Sequence, residues 1–338
     1  MRKALFGLTL AVMVSMWAVG GLVAQNGPAA NPNLKPHEDL PWAYPMAPPP
    51  PPPPPGQAPG GGRGRGAPDP TILSLPDSPL HITRSQISGY NIPDWYPQDH
   101  PPAPNFVLHG RPPDVQGCGF CHLANGQGRP ENSSLAGLSA DYIVQQMADF
   151  QSGARTSAEP RPNGPSQVMI RVAKAATPYE ARLAAEYFQS VKPRKWIRVV
   201  ETAMVPKTRP GQMLQVIEPE EKEPIGNNII EVAEDLEKIE MRDTRTGFVA
   251  YVPPGSIKKG EALVKAGNCT VCHGPDLRGI GPVPALAGRS PSQMGRSLYD
   301  FSKGVRNGVW TPLMKEATAK LTPTDIVNLT AYIASLNP

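Results

Sequence analysis

The sequence predicts a mainly α-helical chain of two tandem domains, with a small β-rich insert between them and a disordered Pro/Gly-rich segment in front. Three observations support this fold class. The 338 residues leave room for two domains. All four cysteines fall within two copies of one five-residue string, which begin at Cys118 and Cys269. The residues that follow the first string reappear in the same order after the second.

Each string reads Cys-x-x-Cys-His, which is the pattern of covalent attachment of a c-type haem. Two residues between the cysteines let one helical turn present both sulfurs to adjacent vinyl groups, with which they form thioethers. The next residue, a histidine, becomes the fifth ligand of the iron. The sequence therefore predicts two covalently bound haem c groups, one held by Cys118, Cys121 and His122 and the other by Cys269, Cys272 and His273.

Paired cysteines also occur in zinc sites, redox dithiols and disulfides. A structural zinc site needs four ligands close together, whereas these two pairs lie 151 residues apart. A redox dithiol has no need of the histidine that follows each pair. Two chance occurrences that use every cysteine are improbable, so haem attachment is the favoured interpretation.

The repeat extends well beyond the cysteines. An offset of 151 residues maps Leu135-Ala136-Gly137 onto Leu286-Ala287-Gly288. Six extra residues in the first copy then change the offset to 145, at which Thr177-Pro178 falls on Thr322-Pro323. The predicted division is a signal peptide or anchor over 1–24, a Pro/Gly-rich linker over 25–90, a first domain over 91–193, an insert over 194–253 and a second domain over 254–338.

Both copies end in a predicted helix with the same start signal. The segments 177–180 and 322–325 each combine an N-cap threonine, a proline at the first helical position and an acidic residue three positions after the cap. Apolar residues at helical spacing follow in both copies. Further helices are predicted over 142–150, 258–265 and 293–301.

These features, in this order, resemble class I cytochromes c, and specifically the periplasmic two-domain di-haem type. The resemblance covers 118–193 and 253–338, and in the second copy it is carried by the Gly260 helix, Cys269–His273, Met314 and the Tyr332 helix. It implies that the first and last helices of the second domain cross where Gly260 faces Tyr332.

In that family a proline carbonyl fixes the outer nitrogen of the haem histidine. The resemblance implies that Pro284 or Pro282 does so for His273, whereas the first copy offers only Pro130, closer to its motif.

The first copy departs from the family before its motif. Two prolines in the segment 109–113 obstruct a helix there. We therefore expect a short or absent N-terminal helix, with the segment 94–107 capping this domain instead.

The resemblance also implies a methionine as the sixth ligand of each iron. Met147 and Met169 are the candidates in the first copy, and Met294 and Met314 in the second. Met147 and Met294 each fall on an aliphatic residue of the other copy, as core positions do. Met169 and Met314 fall on each other and are the predicted axial ligands. A matched pair of core methionines, with water or another histidine on the iron, is the alternative.

The chain outside the two domains has its own signals. The apolar run 5–24 follows Arg2-Lys3, which predicts a cleaved secretory signal or a retained N-terminal anchor. Pro48–Pro55 and the Gly-rich segment 60–66 predict a disordered leader or a tether. Within the insert, strands are predicted near 196–200, 213–217 and 248–252, and the acidic segment 218–223 is predicted to be a solvated turn.

The charge balance limits the partners. The net charge of +4 falls to +2 without Arg2 and Lys3, which is too small to indicate nucleic acid. Arg155 and Arg306 match in the repeat, and either pair with haem propionates or lie at solvated helix ends.

The leading functional hypothesis is an exported di-haem electron carrier. It would move electrons in the periplasm between a donor dehydrogenase or quinol-oxidising complex and a terminal acceptor such as an oxidase. With His and Met on both irons, no catalytic residues are predicted, and the partners are redox proteins, with membrane association through the N-terminal segment left open. The alternatives are a di-haem peroxidase and a cytochrome subunit of a membrane-associated dehydrogenase complex.

Overall fold

The computed structural model describes residues 34–45, 69–159, 161, 164–211 and 215–338. Helices account for most of the regular structure on either side of a central sheet. In chain order they are α1 (Pro36–Asp39), α2 (Asn105–His109), α3 (Gly119–His122), α4 (Ala140–Ser152), α5 (Pro165–Ala175), α6 (Pro178–Ser190), α7 (Leu236–Glu240), α8 (Ser256–Ala266), α9 (Cys269–His273), α10 (Pro291–Ser302), α11 (Thr311–Thr318) and α12 (Pro323–Ser335).

The final helices of the two copies begin in the same way. The backbone N–H of Thr177 donates to Glu180 Oε2 at 2.8 Å, and the N–H of Glu180 donates back to Thr177 Oγ1 at 3.2 Å. Thr322 and Asp325 form the same reciprocal pair at 3.0 and 3.1 Å. Because these capping boxes satisfy free N–H groups of the first turn, both predicted helix starts are confirmed.

The helix before each motif differs between the copies, as predicted. In the second copy, α8 crosses α12 at Gly260, where a Cβ would overlap the carbonyl of Asn328 and lie 2.6 Å from Tyr332 Cβ. Only a glycine permits this close crossing, and the predicted contact is confirmed. In the first copy the corresponding helix is the five-residue α2.

A mixed sheet lies between the two copies in sequence. Its strands are β3 (Ile197–Glu201), β4 (Met204–Pro210), β5 (Gln215–Pro224), β6 (Ile230–Ala233) and β7 (Phe248–Val252), in the spatial order β3-β7-β6-β5-β4. A two-stranded ribbon of residues Ile72–Leu73 and Ile82–Thr83, β1 and β2, precedes it. The predictions at 196–200 and 248–252 agree with β3 and β7, and that at 213–217 meets β5 from residue 215 onward.

The acidic segment 218–223 is not the predicted turn. It lies within β5, where Lys222 and Glu223 pair with β4 in an antiparallel hairpin and residues 218–221 form an irregularity in the register. Lys207 on β4 reaches Glu221 at 2.7 Å and Glu218 at 3.7 Å, so a cross-strand cation offsets part of the repulsion among the carboxylates.

A loop of the insert covers the first copy beside its short helix. Trp95 is fully buried and donates its Nε1–H to the carbonyl of Met241 at 2.7 Å. Asn125 Nδ2 donates to the carbonyl of Thr244 at 2.9 Å, and the Arg242 guanidinium lies 4.6 Å from the ring centroid of Phe120. The loop 241–246 and the predicted capping segment around Trp95 therefore together replace a full-length N-terminal helix of the first copy.

The prediction of a disordered segment over 25–90 is wrong for residues 34–45 and 69–90. Leu40, Trp42 and Tyr44 are each less than 5% exposed and belong to the core of the second copy. The Tyr44 hydroxyl donates to Asp300 Oδ1 at 3.1 Å. These apolar side chains, which the proline-rich composition concealed, supply enough buried surface to order the peptide. The predictions for 1–24, 25–33 and the proline run fall outside the described residues.

Within the part of the chain that the structure describes, no helix is long and apolar enough to cross a membrane.

Replacing Trp42 with alanine is expected to lower the free energy of unfolding by about 3–5 kcal/mol, because truncating a buried aromatic leaves a cavity. The indole packs directly on Gly295 of α10. Chemical denaturation monitored by circular dichroism would measure the change. Tyr179→Ala, at a site that is 75% exposed, is the matched control, with an expected change within about 0.5 kcal/mol. If both variants lost the same amount of unfolding free energy, the result would contradict the packing of this peptide against the second copy.

Candidate haem-binding sites

Each Cys-x-x-Cys-His string forms a single helical turn. The N–H of His122 donates to the carbonyl of Cys118 at 3.0 Å, which closes the turn of α3. None of the four cysteines is in a disulfide, and both motif histidines are buried, His122 at 9% and His273 at 7% exposed. Both sulfurs of a motif therefore lie on one turn beside a buried imidazole, as attachment requires.

Both imidazoles are fixed through the same ring nitrogen. His122 Nδ1 lies 2.7 Å from the carbonyl oxygen of Ser133, and His273 Nδ1 lies 2.8 Å from that of Pro284. A carbonyl can only accept, so Nδ1 carries the proton and Nε2 is left free for a metal. Burial lowers the pKa of both histidines, which favours the neutral ring that iron binds.

The predicted role of Pro284 is confirmed, and the suggestion of Pro130 for the first copy is wrong. The acceptor there is Ser133, which the 151-residue offset places opposite Pro284. Any residue presents a backbone carbonyl, so residue type gives no signal for this role. The repeat alignment itself, applied to Pro284, would have identified Ser133.

An apolar cavity opens beside His122. Cys118, Cys121 and Met169 share its wall with the histidine. The remaining wall is mostly aliphatic or aromatic, including Phe106, Leu135, Ile143, Val168, Val172 and Phe188. A flat, apolar macrocycle attached at the two sulfurs fits such a space.

The four candidate methionines differ in where they lie relative to the cavity and the core. Met169 on α5 and Met147 on α4 both line the cavity of the first copy. In the second copy Met294 is buried in α10, whereas Met314 is half-buried on α11 against the core. The choice of Met169 and Met314 as axial ligands stays a prediction that depends on their match in the repeat.

The Cys118 thiol is unsuited to the alternative chemistries. Burial raises the pKa of the Cys118 thiol to about 12, so it is not the thiolate that a redox dithiol or zinc site uses. Among the described residues no group of three or more His, Cys, Asp or Glu side chains could hold a metal ion.

The two copies meet at equivalent residues. Arg155 and Arg306, which match in the repeat, form an antiparallel backbone bridge. The N–H of Thr156 donates to the carbonyl of Val305 at 2.9 Å, and the N–H of Asn307 donates to that of Ala154 at 2.6 Å. This part of the interface is thus built from the same segment of each copy, related by an approximate two-fold axis.

The two matched arginines are not at solvated helix ends, so that alternative is wrong. Arg306 is 7% exposed, and each guanidinium lies over a phenylalanine of its own copy, 4.4 Å from the Phe150 centroid and 4.2 Å from that of Phe301. Burial, together with the neighbouring Arg306, lowers the pKa of Arg155 to about 9. No carboxylate of the described chain lies within 4 Å of either guanidinium. The half-buried Arg155 and the buried Arg306 both donate to Gln146 Oε1, at 2.8 and 2.7 Å, and Arg306 also donates to the Tyr142 hydroxyl at 3.0 Å.

Comparisons with known proteins agree with this geometry. The cytochrome c family model matches residues 257–337. Cytochrome c4 of Stutzerimonas stutzeri is 30% identical over 235 residues, which cover 65% of this chain and 84% of that protein. The chain belongs to the di-haem class I cytochrome c family. Haem c is the cofactor of this cytochrome, and its iron supplies the one-electron chemistry.

Two further proteins are similar to this di-haem cytochrome. The thiosulfate dehydrogenase electron acceptor of Thiomonas intermedia (strain K12) is 26% identical over 227 residues, 66% of this chain and 80% of that protein. The crystal structure of reduced recombinant cytochrome c4 from Pseudomonas stutzeri is 24% identical, with a TM-score of 0.43 over 65% of this chain and 93% of that one. The names of the sequence relatives fit an electron-transfer cytochrome and not the peroxidase alternative.

Proposed function

We propose that this cytochrome carries electrons outside the cytoplasmic membrane, from a dehydrogenase or quinol-oxidising complex to a terminal acceptor such as an oxidase. The observation that carries the proposal is the pair of buried, neutral histidines, each fixed through Nδ1 with Nε2 free. A rigid ligand that keeps its protonation state lets an iron change charge with little rearrangement. Export, followed by cleavage or retention of the segment 1–24, is part of this proposal.

The proposed iron ligands are His122 with Met169 and His273 with Met314. Each set lies in its own domain, 91–193 and 254–338, and the insert 194–253 packs on the first domain through its 241–246 loop. Met/His ligation raises the reduction potential of a haem, which suits a late step of an electron-transfer chain. Six-coordinate irons also leave no open position for a substrate.

We further propose that Arg155 and Arg306 bind haem propionates. A buried and a half-buried guanidinium without an ion-pair partner among the described residues are costly unless an anion neutralises them. The positive charge of Arg155 acts on the His122 ring, so a carboxylate-bearing cofactor attached beside that histidine would supply such an anion. Both haems would then be held where the two copies meet, a suitable arrangement for transfer between them.

Docking on a dehydrogenase is the second candidate role. One relative is named as the electron acceptor of thiosulfate dehydrogenase, which makes a dehydrogenase a reasonable donor for this chain as well. Co-purification of the cytochrome from its native membrane or periplasmic fraction separates a bound subunit from a free carrier.

The native protein is expected to bind neither carbon monoxide nor cyanide readily and to show negligible peroxidase turnover, because both irons have six ligands. Optical titration of the reduced protein with carbon monoxide measures this. A weak absorption band near the red end of the ferric spectrum reports methionine on the iron. Rapid carbon monoxide binding to half of the haem would contradict the ligand sets and favour catalysis at one iron.

A further inference from the structure

Arg289 occupies an unusual position between the two copies. It follows the repeated Leu-Ala-Gly segment of the second copy, and it is 9% exposed. Its Nε donates to the carbonyl of Ala285 at 2.6 Å, within its own copy. Its Nη1 donates to the carbonyl of Ser134 at 2.6 Å and its Nη2 to that of Ala136 at 3.3 Å, both in the first copy.

The carbonyls that Arg289 contacts lie next to those that hold the motif histidines. Ser134 directly follows Ser133, the acceptor of His122 Nδ1. Ala285 directly follows Pro284, the acceptor of His273 Nδ1. One guanidinium therefore binds the peptide beside each histidine acceptor, at equivalent positions of the repeat.

We propose that Arg289 is a positioning residue that couples the two haem sites by holding both histidine-bearing loops at once. The inference rests on the proposed ligation by His122 and His273. Changes at one iron alter the strength of the hydrogen bond from its histidine to the loop carbonyl. Arg289 transmits that change to the corresponding loop of the other copy.

The guanidinium is suited to this role because its planar fork holds several acceptors in fixed directions. A lysine has a single nitrogen on a flexible stem and cannot reproduce the three contacts. The repeat places Leu138 at the equivalent position of the first copy, and leucine has no side-chain donor, so the second copy alone supplies the bridge.

Arg289 also contributes a buried positive charge beside the two loops that hold the histidines. No carboxylate of the described chain is within 4 Å of its guanidinium. A positive charge in a medium of low dielectric disfavours the ferric state, which carries one more positive charge than the ferrous state. Removing it should lower the reduction potentials of both haems.

The test uses the full-length protein with both haems attached, in the variants Arg289→Lys and Arg289→Gln. The reduction potential of each haem is measured by spectroelectrochemical titration, and the ring protons of His122 and His273 by paramagnetic NMR. We expect Arg289→Gln to lower both potentials. We expect both variants to shift the ring signals of both histidines, since both lose the planar guanidinium that binds the two loops. Arg289→Lys retains the positive charge and should therefore change the reduction potentials less than Arg289→Gln does.

Arg278→Lys is the matched control. Arg278 is an exposed arginine of the same copy, with one 3.4 Å hydrogen bond to the carbonyl of Asn337. It should leave both potentials and both histidine signals unchanged.

A response confined to His273, or no response at either histidine, would overturn the coupling role. If Arg289→Gln does not fold, Arg289→Lys alone decides through the His122 signals. Wild-type protein in which either histidine lacks a paramagnetic shift would instead refute the proposed ligation, so the two failures are distinguishable.

Discussion

Replacing both Cys118 and Cys121 with serine is expected to remove the first haem and leave the second attached. The two motifs lie in separate copies, each with its own histidine and its own carbonyl acceptor. Without thioethers the cavity beside His122 would lose the group that fills it. The first copy should then be destabilised, because a ligand that binds only the folded state stabilises it by mass action.

The loss is measured by the haem-to-protein absorbance ratio, which should halve, and by the mass of the intact chain. The mirror variant, with serine at Cys269 and Cys272, should retain the first haem instead. Two covalently attached haems in either variant would refute the assignment of the motifs.

Replacing Met314 with alanine is expected to open the sixth position of the second iron and leave the first unaffected. The ferrous form should then bind carbon monoxide at half of the haem, and the reduction potential of that haem should fall, since methionine ligation raises it. Carbon monoxide titration and a redox titration of the same sample measure the two effects.

Met294→Ala provides the matched control in the same copy. Met294 is 7% exposed, so its truncation should cost about 2–5 kcal/mol of unfolding free energy without carbon monoxide binding. In the first copy the same comparison uses Met169→Ala with Met147→Ala as its control, because Met169 and Met147 both line one cavity. Carbon monoxide binding by the Met294 or Met147 variant instead would reassign the ligand.

The features that the sequence predicted are those with a local signature. The motif turns, the threonine capping boxes and the glycine at the α8–α12 crossing each need particular residue types at short spacing. A repeat makes such signals stronger, because a chance match in one copy is not reproduced in the other. Gly260 and the choice of Pro284 or Pro282 came instead from the resemblance to class I cytochromes c, because neither residue has a counterpart of its own type in the first copy.

The features that were missed depend on contacts between distant segments. Arg289 meets Ser134 across 155 residues, and Trp95 meets Met241 across 146. The backbone carbonyls at these contacts have no residue-type signature. The acidic part of β5, residues 218–223, was also missed, because its partner cation Lys207 lies on the neighbouring strand.

The peptide 34–45 has a consequence for how this molecule is completed. It is synthesised ahead of both haem domains, yet its binding surface on α10 exists only after the C-terminal half has been made. The peptide therefore comes first in the sequence, but it can pack into the fold only after the second domain has been made. A second domain produced without this peptide would expose the surface around Gly295, and a synthetic peptide with the sequence of 34–45 is the natural molecule to cover it.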